Sequence, residues 1–395
     1  MLKRKEIFTV KNILCLNKIA AVGTEKLDSA LYNVGTDVQN PDAIMVRSAA
    51  MHDMTFGPEL QAIARAGAGV NNIPVDRCSK EGIVVFNTPG ANANGVKELA
   101  IGALILASRD IVGGIKWATS LEGTEGVAKA VEAGKSKFAG VEIKGKTLGV
   151  IGLGAIGGLV ANAAVALGMK VVGCDPFLSV EAAWNMDHHV VKAASYEDVF
   201  KVADYVTLHV PATAETKGMI NAASIASMKD GVRIINLARA DLVNSADMKA
   251  ALTSGKVASY VVDFPTDDTV GVPGIVTIPH LGASTAEAED NCAVMAAVQL
   301  DDFLRYGNIK NSVNFPNVSM PMSGDKRLCI FHANVPNMLS QITAVLAETG
   351  VNIENMINKS KGDNAYTIVD VTGAVADATV EKLSAVDGIV KIRVI

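Results

Sequence analysis

The sequence is short of cysteine, aromatic residues, long apolar runs and positive charge, and each shortage excludes something. Five cysteines (Cys15, Cys78, Cys174, Cys292 and Cys329) are scattered without a C-x-x-C pair. That argues against a disulfide framework and a cysteine-ligated metal site, and no metal is expected. The longest apolar stretch, residues 99–107, falls far short of the roughly 20 residues a membrane helix needs. A formal charge of −5 provides no basic field for nucleic acid. Residues 1–10 are charged and lack the apolar centre of a signal peptide. The expectation is a cytoplasmic protein with neither membrane nor nucleic acid as a partner. Aromatics make up 5% of the chain, and Ala, Val, Ile and Gly dominate its apolar 49%. Such a composition suits buried parallel strands covered by helices. At 395 residues, two or three domains are expected.

What is present centres on residues 147–175. A short apolar run (147–151) reads as a buried strand, Gly152-x-Gly154-x-x-Gly157 follows, an alanine-rich stretch (155–167) reads as a helix, and residues 170–174 make a second strand ending at Asp175. Each part has a role in binding a dinucleotide. Gly152 permits a tight turn, Gly154 lets the backbone approach a pyrophosphate, and Gly157 lets helix and strand pack closely. The helix N-terminus offers unpaired N–H groups to the anion. Asp175 falls about twenty residues on, where a carboxylate accepts from ribose hydroxyls and repels a 2′-phosphate. Pro176, Phe177 and Leu178 bring no cation, so NAD is favoured over NADP.

Before this motif, residues 44–46, 60–64 and 83–86 read as strands or helix starts of a small α/β unit. Arg47 and Arg65 stand just after such runs, and the turn Gly67-Ala68-Gly69 adds backbone N–H groups able to hold an anion. A helix is expected over 96–110, and a surface helix and loop over 113–140. After Asp175, strands at 204–210, 232–237, 259–263 and 275–279 alternate with helical stretches at 196–202 and 246–253, the pattern of a doubly wound parallel sheet. A long helix spans 286–306, and residues 311–325 read as a polar, proline-punctuated linker. The remainder has the order βαββαβ, a ferredoxin-like arrangement. It is expected to fold and move as a unit.

Three residue types could form a hydride-transfer site. Arg239, at a strand's carboxyl end, can hold a substrate carboxylate in a bidentate pair and polarise a carbonyl. His280 also follows a strand and can exchange a proton with a substrate hydroxyl. Asp267 or Asp268 could pair with His280 and raise the pKa of its imidazolium.

Several separate segments resemble the D-2-hydroxyacid dehydrogenases: Val46-Arg-Ser48, Arg65-Ala-Gly-Ala-Gly-Val-Asn-Asn-Ile73, Asn87-Thr-Pro-Gly-Ala-Asn92, the glycine motif, Leu208-His-Val-Pro211, Ile235-Asn-Leu-Ala-Arg239 and Pro279-His-Leu-Gly-Ala-Ser284. The resemblance implies a Rossmann NAD domain over 96–280 and a discontinuous, flavodoxin-like substrate domain (1–95 and 281–318), with a cleft gated by hinge closure. It implies Arg239 as the carboxylate and carbonyl ligand and His280 as acid/base. Cofactor contacts are implied from Gly152, Gly154, Ala155, Ile156, Gly157 and Asp175, then from His209, Pro211, Thr216, Ala238, Asp263 and Gly282. Substrate contacts are implied from Arg47, Ser48, Arg65, Gly67, Ala68 and Gly69. The family's Asp-Val-Phe-x-x-Glu-Pro is replaced by the shorter Asp263-Phe-Pro-Thr-Asp-Asp, in which Asp267 is the best counterpart of the Glu. Residues 326–395 resemble an ACT regulatory domain. Its H-x-N-x-P turn, His332-Ala-Asn334-Val-Pro336, with Asn352 implies a serine effector site. The implied activity is NAD-dependent oxidation of 3-phosphoglycerate to 3-phosphohydroxypyruvate, the first step of serine synthesis, by a homo-oligomer (dimer or tetramer). The alternatives are a reductase of hydroxypyruvate or glyoxylate and a non-catalytic NAD sensor.

Overall fold

Short runs of small and branched apolar residues build the first sheet. Strands β1 (Lys11–Leu16), β2 (Tyr32–Gly35), β3 (Ala43–Val46), β4 (Ala62–Arg65) and β5 (Val84–Phe86) pair in parallel in the order β2-β1-β3-β4-β5. All of β3 is buried, as a central parallel strand covered on both faces should be. The order reverses between β1 and β3, and ligands of such sheets bind outside the carboxyl ends of the strands at that point. The computed structural model describes residues 9–395. Most of the charged N-terminal stretch, residues 1–8, lies outside the described residues.

After the helix Ala93–Ser108, residues expected to form one surface helix and a loop form two short helices, Ile111–Thr119 and Val127–Gly134, and a 3-10 turn. Gly123 and Gly126, at φ +77° and +73°, separate the two helices. Seven strands then form a parallel sheet: β6 (Thr147–Ile151), β7 (Lys170–Cys174), β8 (Val190–Lys192), β9 (Tyr205–Leu208), β10 (Val232–Asn236), β11 (Val257–Val262) and β12 (Ile275–Thr277), in the order β12-β11-β10-β9-β6-β7-β8. Helices Ala93–Ser108 and Ala155–Ala166 bury Ala103, Leu104 and Ala161 against Val150, Tyr205 and Val261 on one face. Val199, Ile225 and Met248, from three further helices, cover the other. This is the doubly wound arrangement that the alternation predicts.

The chain continues through the long helix Ala286–Tyr306 to a four-stranded antiparallel sheet, β13 (Lys326–Ala333), β14 (Asn352–Lys361), β15 (Asn364–Thr372) and β16 (Ile389–Val394), in the order β14-β15-β13-β16. One face carries helices Met338–Glu348 and Asp377–Ser384. The other joins the first sheet's core: Cys329, Phe331, Tyr366 and Ile368 share one apolar cluster with Phe86, Leu300, Phe303 and Phe315. By its contacts the chain divides into two units, Asn92–Ala288 and the rest, Glu289–Ile395 belonging with the segment up to Ala91. The C-terminal sheet, apolar on both faces, thus keeps its own four-stranded fold and packs within the same unit as the first sheet. One expectation is corrected: residues 311–325 are not a free linker. Ser312 pairs with Phe86, Val313 N–H donates to Val85 O at 2.9 Å, and buried Asn314 accepts from Val85 N (2.9 Å) and donates to Ile83 O (2.9 Å). Polar side chains here replace a neighbouring strand at the open edge of β5, which is why the segment reads as solvent-exposed in sequence.

Candidate active site

At the carboxyl end of β6 the chain turns through Gly152 at φ +87°, where a Cβ would meet His209 O at 2.6 Å. A Cβ on Gly157 would lie 1.9 Å from Gly152 O, so this glycine is required by the turn itself. Gly154 differs: a Cβ there would meet no protein atom within 4 Å. Packing therefore does not explain its small size, whereas a ligand backed against the loop does. The first-turn amides of Ala155 and Ile156 have no acceptor among the described residues, as a helix N-terminus that receives an anion requires. Asp175 follows β7 and accepts from Leu153 N and Phe177 N, both at 2.9 Å, which fixes its carboxylate beside the glycine turn. His209, after β9, is bonded through Nε2 to Thr207 Oγ1 at 2.9 Å. Burial pushes its imidazole down to about 4, so it is neutral at pH 7. Thr216 closes the next turn by donating to Pro211 O and accepting from Thr213 N. These residues fit a bound dinucleotide.

The turn after β10 is built by Asn236, which is fully buried. Its Nδ2 donates to Arg239 O (2.8 Å) and its Oδ1 accepts from Ala238 N (3.2 Å) and Arg239 N (3.3 Å). Arg239 donates to Ala238 O at 2.7 Å and lies over the Phe264 ring, 5.6 Å from its centroid. Phe264 also packs against His280, with ring centroids 4.5 Å apart. His280 has φ +55°, a left-handed conformation costly for a non-glycine residue. Asp263 holds it there. This carboxylate, 1% exposed, accepts from Leu281 N (2.7 Å) and Gly282 N (2.8 Å). Both its oxygens serve the backbone of the two residues that follow His280, so Asp263 acts here on the turn that carries the histidine.

In the other unit, Asn17, just past β1, accepts from Ser48 N (3.1 Å) and Ala49 N (2.7 Å), tying the turn after β1 to the turn after β3. Arg47 is ion-paired with Glu289 of the long helix. Arg65 Nε donates to Arg47 O at 3.2 Å, and its guanidinium folds over Gly67, where a Cβ would lie 2.1 Å from Nη1. Thr88 N donates to Gly67 O (3.1 Å) and Asn87 Nδ2 to Ala68 O (2.6 Å). The amides of Ala68 and Gly69 have no acceptor among the described residues. Two arginines and a loop with free amides thus gather at the strand ends of this sheet.

A family model for the D-isomer specific 2-hydroxyacid dehydrogenase NAD-binding domain matches residues 105–282. The chain is also 31% identical over 350 residues to D-3-phosphoglycerate dehydrogenase of Escherichia coli K12, covering 85% of this chain and 82% of that one. The chain belongs to the D-2-hydroxyacid dehydrogenase family. It is 35% identical over 295 residues to D-3-phosphoglycerate dehydrogenase of Archaeoglobus fulgidus, covering 71% of this chain but 53% of the relative. It spans a similar 56% of the rat enzyme of that name, so the chain spans little more than half the length of these two relatives. Among solved structures, it resembles NAD⁺-bound 3-phosphoglycerate dehydrogenase of Entamoeba histolytica (TM-score 0.59, 26% identity, 78% of this chain and 99% of that one). It shares its fold with Rhodotorula graminis D-mandelate dehydrogenase (TM-score 0.65, 22% identity, 79% of this chain and 99% of that one).

Against the family pattern, the structure does not bring the expected acid to His280. Asp268 pairs with Lys249 at 3.0 Å, and exposed Asp267 has no hydrogen-bond partner among the described residues. The reason is local: Thr269 Oγ1 accepts from Thr266 N and donates to Thr266 O, closing a tight turn that leaves both aspartates outside. The effector residues are also apart within one chain. Asn334 follows β13 at the end of the sheet where Ala333 faces Asn364, and donates to Gly362 O. Asn352 starts β14 at the other end, opposite Thr372, and donates to Glu354. His332 is buried and bonded to Ala333 O and Thr367 Oγ1, both at 2.8 Å. Asn337, in place of the usual glycine, adopts the left-handed φ of +66°. A possible cation cluster, Asp187, His188 and His189, lies on an exposed turn where His189 already engages Asp187. Sequence reasoning missed Asn236, Phe264, Asn17 and Glu289. Only Asn236 carried a signal, as a polar residue ending an apolar strand.

Proposed function

We propose that this chain oxidises 3-phosphoglycerate to 3-phosphohydroxypyruvate with NAD, opening serine synthesis. The observation that carries this reading is the anion site of Arg47, Arg65 and the amides of Ala68 and Gly69, which suits the phosphate of a phosphorylated hydroxy acid. NAD, when bound at the glycine loop, supplies the hydride acceptor. Arg239 gives up its bond to Ala238 O, binds the substrate carboxylate bidentately and polarises the oxygen at C2. His280 takes the C2 hydroxyl proton while the C2–H electron pair leaves as hydride, so the alcohol becomes a ketone. Asp175 selects NAD over NADP by accepting from the ribose hydroxyls.

The Arg47–Glu289 ion pair favours a second reading, reduction of an unphosphorylated 2-oxo acid, because it occupies one of the two arginines. Following NADH absorbance with phosphohydroxypyruvate, hydroxypyruvate, glyoxylate and 2-oxoglutarate as competing substrates separates the two. Phosphohydroxypyruvate should have the highest kcat/KM, and NAD binding without turnover of any acid would indicate a sensor instead. The protein is further taken to be a cytoplasmic homo-oligomer with a serine site built from His332, Asn334 and Asn352 across a subunit interface. The helices over 111–134 support assembly, since they leave Ile115 61% and Val127 43% exposed. Light scattering and serine calorimetry test these two points.

A further inference from the structure

Phe264 directly follows Asp263, and in this shortened loop it packs against both candidate catalytic side chains. Its ring lies 4.5 Å from the His280 ring, with 47° between planes, and under the Arg239 guanidinium at 5.6 Å. Among the described residues no carboxylate bonds the imidazole; Asp267 and Asp268 stay outside on their own turn. An imidazole on a left-handed residue, with no hydrogen bond among the described residues, still needs something to fix its rotation about Cα–Cβ. Asp263 fixes only the backbone, through the amides of Leu281 and Gly282.

We infer that Phe264 is a positioning residue for His280, holding the imidazole by ring contact where relatives of the usual pattern use a carboxylate. The inference rests on the hydroxyacid-oxidising reading above. An aromatic face orients a neighbouring ring through dispersion and quadrupole contacts, and these work without a hydrogen bond and without the loop moving inward. Phe264 itself exchanges no proton and touches no substrate. Its effect is to keep His280 within reach of the hydroxyl, and a misplacement of about 1 Å can cost about 10²-fold in rate.

The experiment is a double-mutant cycle in the full-length protein, with turnover and histidine NMR as readouts. Phe264→Leu should lower kcat about tenfold or more while leaving the KM for NAD within about twofold. In a His280→Ala background the same change should cost less than about twofold, because the ring it positions is gone. Phe264→Tyr, which keeps the ring, should recover most of the turnover. In the cofactor-free protein, the His280 Cε1–H resonance, assigned by its loss in His280→Ala, should shift in Phe264→Leu as the ring current is removed. Equal losses in both backgrounds, or an unmoved resonance, would overturn the inference and make Phe264 a packing residue. If Phe264→Leu does not fold, Phe264→Met tests the same points. A wild type that oxidises no hydroxy acid sinks the functional reading instead, while the NMR arm still decides whether the rings are in contact.

Discussion

His280 and His209 both follow strands of the same sheet, yet their surroundings differ. His280 is exposed and its ring nitrogens have no hydrogen-bond partner among the described residues, which suits the proposed proton acceptor. His280→Ala should therefore lower kcat by about 10²–10⁴-fold. Asp267→Asn removes an exposed carboxylate with no hydrogen-bond partner among the described residues, so turnover should stay within about twofold, the rate equivalent of the ±0.5 kcal/mol usual for such surface changes. A loss as large as that of His280→Ala would mean that the loop moves inward during turnover. His209 is held neutral, its folded pKa depressed by burial to about 4 from an unfolded value near 6.5. Its contribution to stability is complete above about pH 6.5 and is lost as pH falls toward 4, because the unfolded chain binds the proton first. His209→Gln should accordingly lose less Tm than the wild type between pH 7 and pH 4. The placement of Arg239 and His280 just past apolar strands was legible in the sequence, since the runs before them form strands β10 and β12. The fate of the aspartates was not, since two threonine hydrogen bonds decide it, and Thr266 and Thr269 gave no sign of that in the sequence.

The strand-turn-helix element from Thr147 to Ala166 was legible almost to the residue, because its glycines are dictated by backbone geometry rather than by distant contacts. The same geometry separates their roles. Gly157→Ala forces a Cβ to within 1.9 Å of Gly152 O, so it should destabilise the fold by about 1–3 kcal/mol, the usual cost of overpacking. Gly154, at φ −68° with open space about its Cα, tolerates alanine in the fold. Gly154→Ala should keep the wild-type Tm and raise the Kd for NAD about tenfold or more, since the added methyl occupies the pyrophosphate's approach. Calorimetric titration with NAD beside a melting curve reads both. If Gly154→Ala binds NAD normally, the pyrophosphate does not back against this loop. The segment at 312–314 shows what patterning cannot reveal. Its polarity indicates a linker, while the Asn314 side chain bonds the backbone of Ile83 and Val85, over two hundred residues away in sequence.

At the scale of the whole chain, the few aromatic residues are concentrated where the C-terminal sheet meets the first one. Phe86, Phe303, Phe315, Phe331 and Tyr366 form a chain of ring contacts at centroid distances of 4.6 to 6.4 Å. The sheet also caps the long helix Ala286–Tyr306. Arg393 donates to Phe303 O and Leu304 O, Arg327 to Tyr306 O at 2.7 Å, and the Tyr366 hydroxyl to Gly307 O at 2.7 Å. Cations at a helix C-terminus complement its dipole and satisfy carbonyls that the helix leaves unpaired. Arg327 is itself fully buried, in a bidentate pair with Asp370 at 2.6 and 2.7 Å. Arg327→Met strands that carboxylate and should cost about 3–5 kcal/mol, whereas Arg327→Met with Asp370→Leu should regain much of the loss. The sharper consequence concerns cooperativity. A regulatory module on a linker would melt and exchange separately, and its removal would leave an active, unregulated enzyme. Here the sheet shares a core with β1–β5, so a chain cut at residue 322 exposes Phe86, Phe303 and Phe315 together and leaves the helix end uncapped. Such a chain should be insoluble or unfolded. In the intact protein, the amides of β13 and β15 should exchange with the same opening free energy as those of β1 and β3, as members of one cooperative unit. Earlier exchange of the C-terminal sheet, with the first sheet still protected, would show that the tail opens on its own and that the shared core contributes little to holding it.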